Sequence, residues 1–147
     1  MYEQKEIAFL KERLSYNPKT GTLTWLPVKE INGYKKRWNK QYAYKVAGSV
    51  GNCGYTVIHL NGKLYSAHRV AWAVYFGESP ELDIDHANRD KTDNSIENLR
   101  LATRSQNNIN SKIRKDSKSG FKGVHLHKQS NKWRAVIKKD KKNIHLD

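Results

Sequence analysis

Cysteine is almost absent from this 147-residue chain: Cys53 stands alone. A single thiol excludes an intramolecular disulfide framework and any zinc knuckle built from paired thiolates, and it suits a reducing cytoplasm. Long apolar runs are also missing, so no segment reads as a bilayer span, and no basic-then-apolar stretch resembles a secretory signal. Apolar residues make up only 37% of the chain, which limits the core to a small, local one. Acids are scarce as well: 14 Asp and Glu face 28 Lys and Arg, a net charge of +14.

The few acids are not evenly spread. Residues 1–50 hold ten Lys or Arg against four acids, residues 51–111 six against seven, and residues 112–147 twelve against three. Two basic flanks thus surround a nearly neutral middle. Such flanks attract a polyanion through counterion release, a term that ignores base sequence and weakens with salt. Aromatic residues interleaved with the charge favour nucleic acid over a merely soluble surface.

The coarse pattern is mixed. In "YEQKEIAFLKERLSY", Ile7, Leu10 and Leu14 recur at helical spacing, so a short amphipathic helix is expected. "NPKTG" ends it, and "TLTWL" (Thr22–Leu26) alternates as a strand. "GYKKRWNKQYAY" (Gly33–Tyr44) reads as a basic, aromatic loop, either suited to phosphate contact and base stacking, with Lys35, Lys36 and Arg37 as candidate contacts, or a solvated linker whose aromatics dock on the core. "YTVIHL" and "KLYSAH" flank Asn61-Gly62, the strongest short hairpin signal, because both turn positions need positive φ. "SAHRVAWAVYFG" (Ser66–Gly77) is a helix closed by Gly77 and barred from extension by Pro80. In its first turn, His68 is expected to be a packing histidine and Arg69 a phosphate contact.

The middle stretch, "DIDHANRDKTDNSIENLRLATRSQNNIN", holds an acid beside a histidine and then an Asn-rich loop. "LDID" and "NLRLAT" should be two antiparallel strands joined by an ordered loop, with Asp93 and Asn94 capping the turn at "SIENL". Thr103 and Gln106 form a capping box, so a helix starts at Arg104, with Ile109 and Ile113 expected as its buried stripe. Taken without further context, the stretch also fits an Asx-rich turn with Asp85 and His86 as ordinary surface residues.

The order and spacing of four residues resemble a known family. Asp85-His86, then Asn98 and Asn107, look like the HNH endonuclease motif of the ββα-metal fold, in its phage and homing-endonuclease branch. "AHRVAWAVYFGE" and "TGTLTW" are also similar to that branch, and the resemblance spans roughly residues 10–112. It implies that His86 is the general base, that Asn98 is a catalytic-site residue holding the loop and the histidine, and that Asp85 and Asn107 hold one divalent cation. An imidazole titrating near neutrality suits the base role. A carboxylate with an amide oxygen suits a hard ion, Mg²⁺ or Mn²⁺. Adjacent strand residues face opposite sides, so Asp85 and His86 would address two sides of one phosphate.

The tail, Ser119–Asp147, reads as three short strands. "SGFKGV" and "KWRA" resemble the start of an APETALA2-type DNA-binding domain, which implies a sheet laid in the major groove with Lys122, Arg134 and Lys138 as contacts. Members of that family continue into a covering helix that this stretch does not include, so the sheet is expected to be incomplete. His125 and His127 could face one side as a metal pair, although ordinary strand surface is preferred.

The reading is an α+β protein. A small β-rich N-terminal part (1–45) precedes a ββα-metal HNH core (46–113) and a partial APETALA2-like segment (118–147). The expected activity is metal-dependent hydrolysis of double-stranded DNA, with Arg69 and Arg104 contacting the backbone near the site. The expected setting is a bacterial cytoplasm, with a phage or mobile element as the source. A monomer would nick; a homodimer could sever both strands. The alternative is a non-catalytic DNA-binding regulator that uses the basic tail. A ribosomal-type RNA-binding protein would explain the charge but not the Asp-His pair.

Overall fold

Helical spacing of Ile7 and Leu10 produces α1 (Gln4–Arg13), in which both residues are buried. The computed structural model describes residues 2–29, 32–139 and 142–146, without the side chains of 138, 139, 142, 143, 145 and 146. It divides into two compact units, 1–110 and 111–147.

In the first unit, α1 passes directly into β1 (Leu14–Asn17), which pairs antiparallel with β2 (Thr22–Trp25). The turn between them is set by Asn17, whose Oδ1 accepts from the amides of Lys19 (3.0 Å) and Thr20 (3.3 Å). That Asx geometry explains why "NPKTG" reverses the chain so tightly.

Gly33–Tyr42 form a helix, α2, where the composition suggested a basic aromatic loop. Asn32 caps it, accepting from the Lys35 amide at 2.9 Å. The stretch contains no proline and no β-branched residue, and its glycine falls at the first helical position, where it does little harm. Trp38 anchors the helix edge-on against Trp25 (5.6 Å between rings, 84°) and beneath the Arg13 guanidinium (4.5 Å). One aromatic therefore docks on the core, while Lys36 and Lys40 are exposed and Lys35 is half-buried.

β3 (Ser49–Val50), β4 (Thr56–Leu60) and β5 (Lys63–Ser66) make an antiparallel sheet in that order. Asn61 and Gly62 sit at φ 50° and 73°, the positive values that the turn signal demanded. α3 (Ala67–Phe76) follows, buries Ala67, Val70, Ala71, Trp72 and Ala73, and ends at Gly77 in the left-handed region. Its packing face joins Leu10, Leu14, Leu23, Trp25, Ile58, Leu60, Ile84 and Leu99 in one cluster. Core residues on both sides of position 45 thus share one interior, so the sequence segments 1–45 and most of 46–113 form one body.

β6 (Asp83–His86) and β7 (Leu99–Ala102) pair antiparallel, and α4 (Arg104–Asn110) completes a strand–loop–strand–helix unit. The capping box forms: the Thr103 amide donates to Gln106 Oε1 (2.8 Å), and the Gln106 amide donates to Thr103 Oγ1 (3.3 Å). The expected buried stripe does not. Ile109 is 70% exposed, and Ile113 lies beyond the end of α4 and is 47% exposed. Polar contacts of Asn110, described below, hold this two-turn helix instead.

The second unit is a sheet of β8 (Val124–His127), β9 (Lys132–Lys139) and β10 (Lys142–Leu146) in the order β10–β9–β8. Register places Leu126 opposite Trp133 and Ile137 opposite Ile144 on one face, and these four side chains are all exposed. His125 pairs with Arg134, and His127 with Lys132, on the other face. The three-stranded tail read from the sequence is therefore present, with its apolar face open.

Candidate nuclease site

The end of β6 is unusual for its burial. Asp85 is 5% and His86 3% exposed, although both are ionisable. Burying such groups is costly unless they are paired or hydrogen-bonded, and each has its own set of partners.

His86 faces the 87–98 loop. Its Nε2 lies 3.2 Å from Asn94 Oδ1, while Asn94 Nδ2 donates to Thr92 O at 3.2 Å. The second bond fixes which end of the Asn94 amide meets the imidazole. An amide oxygen only accepts, so Nε2 carries the proton and the lone pair of the neutral ring sits on Nδ1. On its flanks stand Tyr55 (5.8 Å) and His68 (5.3 Å, 77°). His68 is pushed down to about 4, first by burial and then by the charges of His86 and Arg69. It is therefore neutral at pH 7 and packs as expected, and its Nδ1 finds no hydrogen-bond partner among the described residues.

The loop that carries Asn94 is tied down from several sides. Asn98 Oδ1 accepts from the Asn88 amide (2.9 Å), Asn98 Nδ2 donates to Asp93 O (2.7 Å), and the Ala87 amide donates to Asn98 O (2.9 Å). Asn98 thus bridges the two ends of the loop. Asp93 caps Ser95 through both its amide (3.1 Å) and its hydroxyl (2.7 Å), and these bonds lower its pKa. Asp90 does the same for Thr92, with the same direction of shift. From outside, Tyr16 donates to Asn94 O (2.8 Å), and the Ile96 amide donates to Pro18 O (2.9 Å). At Gly21, φ is +71°, and a Cβ would lie 2.3 Å from Asn94 C and Ser95 N. Only glycine lets the β1–β2 turn sit this close to the loop.

Asp85 faces the other way, toward β7 and α4. Arg100, its register partner, donates to Oδ2 from Nε (3.0 Å) and NH2 (2.7 Å). Asn110 Nδ2 reaches Oδ1 (3.0 Å), Oδ2 (2.9 Å) and the backbone oxygen of His86 (2.8 Å). Asn110 Oδ1 in turn accepts from Arg89 Nε (3.2 Å).

Asn107 is half-buried one turn into α4, its amide bonded to Thr103 O at 2.9 Å; no hydrogen bond joins its side chain to Asp85. The spacing singled out Asn107, whereas Asn110, one turn further along α4, makes the contact. Arg69 and Arg104 line one cleft of about 310 Å³ together with Asp83 and Thr103. Lys35 lines a much larger groove of about 1270 Å³, beside Arg13, Trp25 and Trp38 and on other elements than Asp85 and His86. Lys36 and Arg37 lie on α2; Lys122 and Arg134 belong to the second unit, and the Lys138 side chain is outside the described set. Sequence reasoning missed Arg100, Asn110 and the grip of Asn94 on His86. The first was findable from antiparallel register and the second from helical spacing.

Residues 65–109 match the HNH endonuclease family model. Over this stretch the chain is similar to HNH endonucleases. The chain is 32% identical over 90 residues to an uncharacterized HNH endonuclease of Acanthamoeba polyphaga mimivirus, covering 60% of this chain and 46% of that one. It is 32% identical over 71 residues to Protein 3.8 of Escherichia phage T7, covering 48% and 59%. The chain thus spans about half the length of these two relatives. It is also similar to a solved structure described as DNA binding and cleavage by the HNH homing endonuclease I-HmuI, with 24% identity and a TM-score of 0.45, covering 67% of this chain and 51% of that one. The matched stretch contains Asp85, His86, Asn94, Asn98, Arg100 and Asn107, and ends one residue before Asn110.

Proposed function

We propose that this chain is a metal-dependent DNA endonuclease that hydrolyses phosphodiester bonds of double-stranded DNA. One observation carries the reading: a buried histidine, held through Nε2 by Asn94 so that Nδ1 is its free base, stands next to a buried carboxylate. The two side chains leave β6 on opposite faces, which suits action on opposite sides of one phosphate.

His86 Nδ1 takes the proton of the attacking water, and the Asn94 bond keeps the tautomer correct while the ring becomes charged. Neutral His68 and Tyr55 pack beside it without adding a competing charge. Asn98 holds the loop, and with it Asn94, in place. On the other face, the Asp85 carboxylate and an all-oxygen set suit a single hard cation, Mg²⁺ or Mn²⁺. The side chains that would hold it are Asp85 and, from the motif spacing, the Asn107 amide oxygen. Among the described residues no cluster of three or more His, Cys, Asp or Glu exists, so water and DNA phosphate oxygens would complete its shell. Held there, an ion would supply stabilisation of charge on the leaving oxygen. Arg69, Arg104 and the basic second unit supply the attraction for the DNA backbone.

The test is a supercoiled plasmid incubated with the protein and Mg²⁺ or Mn²⁺. Nicked or linear product is expected, abolished by EDTA and by His86→Ala, with DNA binding retained. Binding without cleavage under every metal condition would instead favour a non-catalytic DNA-binding role. Full cleavage by His86→Ala would remove the histidine from the mechanism.

A further inference from the structure

The partners of Asp85 raise a conflict. Its Oδ2 accepts from both Arg100 nitrogens and from Asn110, and Oδ1 accepts from Asn110. A cation bound by this carboxylate would compete with the guanidinium, because both are positive and Arg100 already holds Oδ2 with two bonds, while among the described residues Oδ1 accepts only from Asn110. The pair is asymmetric: the Asp85 side chain is 6% exposed, whereas that of Arg100 is 54% exposed. Asp85 is fixed, and Arg100 is the partner able to leave.

There is a place for it to go. A cleft of about 300 Å³ adjoins the pair, lined by Arg89, Arg100, Gln106, Ile109 and Asn110. Two guanidiniums and no carboxylate line it, so it favours an anion. Arg89 is already turned toward it, bonded to Asn110 Oδ1. A phosphate oxygen is the preferred partner of a planar, two-nitrogen donor released from a carboxylate.

We propose that Arg100 is a stand-in for the metal: it neutralises Asp85 until a divalent cation and a DNA phosphate arrive, and then transfers its two donors to that phosphate. Metal entry without DNA strips Arg100 of its partner and is therefore weak. With DNA present, the phosphate offers Arg100 a replacement, so each ligand strengthens the binding of the other. The inference rests on the nuclease reading and assigns Arg100 as a phosphate-contacting residue that couples the two ligands, with Arg89 beside it.

The experiment is calorimetric titration of Mn²⁺ into the full chain, wild type against Arg100→Gln, without DNA. Removing the competing charge should tighten Mn²⁺ binding about tenfold, the scale of one charge-assisted contact. In a His86→Ala background, which leaves the duplex intact, a short DNA duplex should tighten Mn²⁺ binding when Arg100 is present. That gain should shrink in Arg100→Gln. Unchanged or weaker Mn²⁺ affinity in Arg100→Gln overturns the proposal, as does a DNA-induced gain of equal size in both proteins. Should circular dichroism show Arg100→Gln unfolded, Arg100→Lys replaces it, with a smaller gain expected from its single-point contact and an unchanged affinity again overturning the proposal. Plasmid nicking by the wild type separates the failures. Nicking with unchanged Mn²⁺ affinity in the variant removes only the role of Arg100; neither nicking nor Mn²⁺ binding removes the nuclease reading as well.

Discussion

At the scale of single residues, the account depends on which nitrogen of His86 is free. Asn94 Oδ1 holds Nε2 at 3.2 Å, so Asn94→Ala should leave the fold intact but release the ring, slowing plasmid nicking by roughly 10–100-fold. A nicking rate equal to wild type would show that the bond does not orient the base. His68 offers a test in stability. Its folded-state pKa is lowered to about 4 by burial, against roughly 6.5 in an unfolded chain. The unfolded chain takes up this proton below about pH 6.5 and the folded chain only below about 4. Stability held at neutral pH therefore declines as pH falls through that window, by roughly 2–3 kcal/mol from this group. His68→Phe keeps an aromatic ring in place and should flatten that part of the curve in urea unfolding measured across the range. An unchanged acid slope would contradict the burial of a neutral imidazole.

Among the elements, the β1–β2 turn supports the site by packing against the loop that carries Asn94. A Cβ at Gly21 would collide with the Asn94–Ser95 backbone in a left-handed conformation, so Gly21→Ala should cost about 1–3 kcal/mol in thermal unfolding. It should also lower nicking through displacement of Asn94; a variant with wild-type stability and activity would refute the buttress. How far the elements were legible depended on whether local signals agreed with tertiary packing. Asn61-Gly62, Gly77 and the Thr103–Gln106 box are backbone rules written in adjacent residues, and each appears in the structure. α2 was misread as a loop because its charge and aromatics suggested contact with a ligand, while its helical identity rests on one cap and the docking of Trp38. Ile109 and Ile113 followed helical spacing, but the helix is only seven residues long and is held by Asn110, so Ile113 falls beyond its end and Ile109 stays exposed. Asp85-His86 was legible by motif, Arg100 follows from strand register and Asn110 from helical spacing, while the grip of Asn94 on His86 depends on loop geometry that spacing does not encode.

For the whole molecule, the net charge of +14 and the two basic flanks predict a DNA affinity dominated by the phosphate backbone and steeply dependent on salt. If the second unit binds DNA as its resemblance to an APETALA2-type sheet implies, Arg134→Ala and Lys122→Ala should each lower the salt slope by about one. A slope unchanged by both would place the DNA contacts on the first unit. The central claim is narrower than binding, and one measurement reaches it most directly: relaxation of a supercoiled plasmid in Mg²⁺ by wild type and by His86→Ala, both shown to bind the same DNA. Nicked or linear product is expected from the wild type alone, none in EDTA and none from the variant. Cleavage by His86→Ala at the wild-type rate, or undiminished cleavage in EDTA, would contradict it.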